Sequence, residues 1–157
     1  MKPRARNHAL LLIGAALTAA ACDDPQDGWE PATLDRSFSA VYPVLIRDCG
    51  FHACHGAEER FFRVYGPGRA RLDDSLRAYE QVTGEELSIS FSIALSMIDT
   101  EHPERSPLLV KPLALEAGGA AHGGIDDFGR NVYRTKEDEG YKALERFVLA
   151  MAEDEED

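Results

Sequence analysis

The chain has 157 residues, and 28 acidic against 17 basic side chains give a net charge of −11 with its histidines neutral. That balance argues against nucleic acid, whose binding rests on Lys and Arg meeting phosphates. It suits a soluble, self-repelling surface or a protein partner with a basic one.

The chain opens "MKPRARNHALLLIGAALTAAAC": Lys2, Arg4 and Arg6 lead a 13-residue apolar or small run from Ala9 to Ala21. A helix needs about 20 residues to span a bilayer, so the run reads as the core of an export signal. Ala19, Ala20 and Ala21 directly before Cys22 resemble the lipobox of bacterial lipoproteins, which implies acylation of Cys22 and a membrane anchor in the cell envelope or periplasm. An ordinary signal peptide that leaves Cys22 unmodified is the other reading. Removing residues 1–21 leaves 136 residues with 14 basic and 28 acidic side chains, a net charge of −14. That length holds one domain with a modest core. The expected organisation is a signal over 1–21, a flexible tether over 22–35, one domain over 36–153 and an acidic tail over 154–157.

"SFSAVYPVLIRDC" places Phe38, Val41 and Val44 or Leu45 at helical spacing, with Pro43 expected to break the helix or mark a restart. It leads into "RDCGFHACHG", where four residues separate Cys49 from Cys54 and His55 follows at once. Three chemistries compete for this cluster. Covalent haem attachment needs two thiols for the two vinyl groups and an imidazole directly after the second cysteine for the iron. A Cys49–Cys54 disulfide suits an oxidising compartment but requires Cα atoms within about 7 Å, and it leaves His55 unexplained. A structural zinc ion needs four ligands, and beyond Cys49, Cys54 and His55 only a distant histidine remains.

"CGFHACH" resembles the haem-binding motif of c-type cytochromes, with a spacer of four residues where two are usual. "F-x-x-V-Y-P-V-L-I-x-D-C" with the motif, over roughly residues 38–56, is similar to the opening of cytochrome c-like domains in bacterial envelope lipoproteins. The resemblance implies one covalent haem c held by Cys49, Cys54 and His55, in an all-α fold of short helices joined by long loops with little or no strand. It also implies electron transfer with a redox protein partner.

Beyond the motif, Phe61, Phe62, Val64 and Tyr65 are candidates for a haem pocket or plain core. Arg63, Arg69 and Arg71 are candidates for the haem propionates or plain surface. Gly66, Pro67 and Gly68 mark a turn. "DSLRAYEQVTG" reads as a short helix capped at Asp74 or Ser75 and stopped at Gly84. Leu87, Ile89, Phe91, Ile93 and Leu95 alternate with polar or small residues, a period of two that argues for a strand. Ser106 and Pro107 begin a helix that Pro112 ends.

"EAGGAAHGGIDDFGRN" sets four glycines around His122, where backbone can come close to something bulky. Thr135 and Asp138 resemble a capping box, followed by an apolar face of Tyr141, Leu144, Phe147 or Val148 and Met151. The leucine-rich turn, the His-Gly-Gly loop and this last helix together resemble the C-terminal half of the same lipoprotein cytochromes. The acidic tail opposes the helix dipole and is expected to fray.

For the second face of a His55-bound iron the candidates are His122 first and Met97 next, then Met151 and His102. His52 is too near His55 to reach round the ring. No phosphate-binding glycine pattern or nucleophile elbow is present, so the expectation is an electron carrier and not an enzyme. The alternative is a structural or interaction lipoprotein without haem.

Overall fold

The structure is a computed structural model that describes residues 36–120, 122 and 132–153. The expected signal, Cys22, the tether and the acidic tail lie outside the described residues. Helix α1, Arg36–Val44, buries Phe38 and Val41, and Leu45 follows four positions on. These positions share one face of a 3.6-residue helix. Pro43 neither breaks α1 nor restarts it. The helix continues past it and widens into a π-turn, Leu45–Cys49, closed by Gly50 N–H donating to Leu45 O at 2.9 Å. Because proline carries no N–H, the ladder has already lost one donor there, and the wider turn delivers Cys49 to the interior.

Helix α2, Gly84–Leu95, occupies the run whose alternation argued for a strand. Its start decides the matter. The Thr83 side chain accepts from Glu86 N–H at 3.1 Å while the Glu86 carboxylate accepts from Thr83 N–H at 3.0 Å, a complete capping box. Gly84 therefore opens this helix and does not close the preceding one, which is a 3-10 turn, Asp74–Ala78, capped by Asp73. Glu86, Ser90 and Ala94, four apart, form the buried stripe. Glu86 is fully buried and paired with Arg71 at 2.7 Å, and Arg71 also donates to the carbonyls of Tyr79 and Gln81. One guanidinium thus fastens the whole loop onto α2.

Helix α3, Pro107–Val110, starts as expected at Ser106 and Pro107. The Ser106 hydroxyl does not cap it, however, and instead accepts from Asp99 N–H at 3.0 Å. Helix α4, Glu139–Glu153, buries the expected face of Tyr141, Leu144, Phe147, Val148 and Met151. Asp138 accepts from the backbone of both Arg134 and Thr135, whereas the Thr135 hydroxyl takes Glu137 N–H, so only half of the capping box forms.

The core lies between α1 and α4, with α2 and α3 closing it. Phe38 meets Phe91 at 5.0 Å and Phe147 at 5.8 Å between centroids, aromatic pairs worth about 0.5–1.5 kcal/mol each beyond their buried area. Gly66–Arg69 forms a turn closed by Arg69 N–H on Gly66 O at 3.0 Å. Pro67 takes its second place and Gly68 its third, with φ +68°, the type II pattern. Among the described residues there are two isolated β-bridges and no sheet, so the domain is all-α, as expected.

Candidate functional site

The cysteine motif folds back on itself. From Cys49 at the end of the π-turn, His55 N–H donates to Cys49 O at 3.0 Å, and Cys54 and Gly56 N–H both reach Phe51 O. The closure needs glycine at 56, because a Cβ there would stand 2.1 Å from Gly50 O. Cys49 is buried, Cys54 is half-buried, and both are free thiols.

His55 Nδ1 lies 2.8 Å from Phe62 O. A carbonyl only accepts, so Nδ1 carries the hydrogen and Nε2 keeps its lone pair. The Phe62 ring packs edge-on against the imidazole at 4.8 Å, fixing its plane. Burial lowers the His55 pKa, the Phe62 carbonyl partly opposes this, and His122 and Arg60 lower it further. The ring is therefore neutral at pH 7, the form that ligates metals. A backbone carbonyl on the far nitrogen is the usual support of a metal-binding histidine.

His122 lies opposite, its ring centroid 5.8 Å from that of His55 and its plane within 20°. Both rings line a cavity of about 390 Å³, together with Cys49, Cys54 and Met97. Its volume falls in the range of about 300–1,000 Å³ typical of small-molecule and cofactor sites. Phe61, Phe62, Leu108 and Val132 supply much of its apolar wall, and Arg60 and Lys111 are the cations on its lining.

Every expected tether and iron ligand is thus brought to one place. Of the other sixth-ligand candidates, Met151 is buried in the core and His102 lies in the loop before α3, neither on the cavity. His52 is exposed and off the lining. The arginines differ from expectation: Arg71 is consumed by Glu86, and Arg69 stacks over Phe51 at 4.7 Å while donating to Ile46 O. Arg63 is not on the lining either. Val64 and Tyr65 belong to the core, leaving Phe61 and Phe62 as the aromatics at the cavity.

The glycines before His122 serve the backbone. Gly118 adopts φ +93°, and a Cβ on Gly119 would stand 1.9 Å from Leu113 O. Gly123 and Gly124 lie outside the described residues.

Asp48 and Lys111 also line the cavity. Adjacency to Cys49 could have flagged Asp48, but nothing local marks Lys111. Burial pushes the Cys49 thiol up to about 12, with Asp48 and Cys54 adding to the rise, so it stays protonated at neutral pH. Among the described residues no group of three or more His, Cys, Asp or Glu side chains could hold a metal ion, which leaves the zinc reading without its ligand set there. Also among them, no helix is long and apolar enough to cross a membrane. No protein-family model, curated protein or solved structure matches the chain.

Proposed function

We propose that the protein is a monohaem c-type cytochrome that carries electrons in the cell envelope. The observation that supports it is the convergence of Cys49, Cys54, His55 and His122 on one apolar cavity. The residues fit the group chemically. Cys49 and Cys54 are unpaired thiols, and each would add its S–H across one vinyl C=C, forming a C–S bond while the hydrogen passes to the neighbouring carbon, with no net oxidation. His55 would offer Nε2 to the iron, and its Nδ1–H is already committed to Phe62 O. A porphyrin supplies four iron ligands itself, so two imidazoles suffice where a bare ion would need more protein groups. His122 would take the second face, with Met97 on the same lining as the other donor. Arg60 and Lys111 suit the two propionate carboxylates, a role for which Arg63, Arg69 and Arg71 were candidates beside plain surface positions.

Bound there, haem would supply one-electron iron chemistry, while the chain contributes burial, axial ligation and fixed charge. The role is that of a carrier, and its acidic exterior suits a redox partner with a basic surface. Lipidation of Cys22 would hold the domain at a membrane, and replacing Cys22 by Ser should then move the protein to the soluble fraction.

The deciding experiment is an absorption spectrum and a haem stain on a denaturing gel, with the chain expressed in a periplasm equipped for cytochrome c maturation. A Soret band, sharp reduced α and β bands and a stain at the protein's mass are expected. A colourless, unstained protein whose mass falls by about 2 Da on oxidation would instead establish the haem-free lipoprotein with a Cys49–Cys54 disulfide.

A further inference from the structure

Asp48 is a lining residue of the cavity, as is Cys49, which follows it in the chain, and it is the acidic residue of that lining among the described residues. Its side chain is only 16% exposed, yet its carboxylate is fixed from three directions. Arg47 donates to both oxygens at 2.6 and 2.7 Å. Tyr133, 85 positions away, donates its hydroxyl to Oδ2 at 2.8 Å. The first turn of α4 closes the third side: a Cβ on Gly140 would meet the Tyr133 ring at 2.5 Å and Asp48 Oδ2 at 2.7 Å. Only glycine leaves room for this contact.

The backbone of Tyr133 is itself pinned, donating to Pro112 O and accepting from Ala114 N–H, both at 2.9 Å. The carboxylate is therefore held next to the lining residue Cys49 by a neutral hydroxyl on a rigid support. Its counter-charge, Arg47, is 63% exposed, so water and salt screen Arg47 far more than they screen Asp48. Tyr133 and the positive end of α4 favour the ionised form without cancelling its charge.

We infer that Asp48 is a charge-setting residue that holds down the reduction potential of the group in the cavity. The inference rests on the haem reading above. A fixed negative charge close to the group stabilises the oxidised, more positively charged centre over the reduced one, and a carboxylate so little exposed is screened less than a surface charge. An amide of the same shape would still accept from Tyr133 and would lose only the second acceptor, which faces the exposed Arg47.

The test is a potentiometric titration of the haem-loaded parent and of Asp48→Asn, Asp48→Glu, Tyr133→Phe and Arg47→Gln at one pH and low ionic strength, with a thermal melt of each. Asp48→Asn should raise the midpoint, lowering the oxidised-to-reduced ratio at fixed potential about tenfold, or about 59 mV for one electron. Asp48→Glu, which keeps the charge, should return the potential towards the parent. Tyr133→Phe should lower the melting temperature and leave the potential nearly in place. Arg47→Gln changes only an exposed side chain and unpairs the carboxylate, so its potential should fall below the parent. That arm stands even where Asp48→Asn fails to fold. A haem-loaded Asp48→Asn at the parental potential overturns the inference, as does Tyr133→Phe shifting the potential as far as Asp48→Asn, or Arg47→Gln leaving it unmoved. A parent protein without haem removes the cytochrome reading and this inference together, whereas the variant results alone leave that reading standing.

Discussion

Between α1 and α4, Phe38, Phe91 and Phe147 meet as tilted rings with Leu45, Leu144 and Val148 packed around them. Across Cys49 the chain is organised otherwise. There the loop over 50–64 is shaped by backbone hydrogen bonds from His55, Cys54, Gly56 and Val64, and two of its three phenylalanines, Phe51 and Phe61, are 51% and 82% exposed. One region gains stability by excluding water, and the other holds side chains in place around a space that it does not fill. The same chain thus sets a packed core and a lined cavity a few residues apart, with the π-turn Leu45–Cys49 as the junction.

If that division is real, substitutions on the two sides must fail in different ways. Phe38→Ala removes the ring that joins α1 to α2 and α4 and should cost about 3–5 kcal/mol, much of a total of about 5–15 kcal/mol, visible as a large drop in denaturant midpoint. Glu86→Ala leaves the Arg71 guanidinium buried and unpaired, again at about 3–5 kcal/mol.

Glu86 carries a pH signature as well. Burial pushes its carboxyl up, but hydrogen bonds from Arg71, Thr83 and Leu72 and the charge of Arg71 outweigh this and hold it below its ordinary value. A carboxyl lowered on folding contributes stability that is fully present above its unfolded pKa, about 4.3, and lost as pH falls through the folded value. Denaturant titrations between pH 7 and pH 2 should therefore show the gap between parent and Glu86→Ala closing on the acid side. A constant gap would mean that the ion pair contributes nothing through its charge.

On the cavity side, Gly56→Ala forces a Cβ to within 2.1 Å of Gly50 O. The backbone must open, at a cost of about 1–3 kcal/mol, the usual range for overpacking. On the haem reading proposed above, the outcome that separates the regions is loss of the haem stain from protein that still folds cooperatively. Phe38→Ala should behave in the opposite way, staining in proportion to whatever folds.

The core side was legible because apolar residues at helical spacing mean the same thing in nearly every context: Tyr141, Leu144, Phe147 and Met151 read as a face from the sequence alone. Helix α2 misled because Ser88, Ser90 and Ser92 alternate with apolar residues, and its buried stripe of Glu86, Ser90 and Ala94 is polar or small. Hydropathy weighs such residues as exterior, whereas here Arg71 and the Tyr65 backbone satisfy them. The better signal was chemical, Thr83 three residues before Glu86. At the site, Cys49, Cys54 and His55 were readable from spacing, and His122 from its glycines. Asp48 carried only its adjacency to Cys49, and Arg60 and Lys111 carried no signal, since which charges line a cavity depends on how loops distant in sequence come together. Tyr133 shows the limit most plainly, because a contact over 85 positions leaves no local pattern.

The smallest expected effect tests the division from its other edge. Phe61 walls the cavity but buries little of its own ring, so Phe61→Ala forfeits almost no transfer free energy on folding. Its unfolding free energy, measured by denaturant titration of the haem-free chain, should stay within about 0.5 kcal/mol of the parent. A loss comparable to that of Phe38→Ala would mean that the rim shares the core's packing and that the two regions are one cooperative unit. An unchanged midpoint would mean that the cavity wall can be altered at little cost to the fold, which is the freedom a cofactor site needs if its lining is to be set by chemistry while the α1–α4 interface carries the stability.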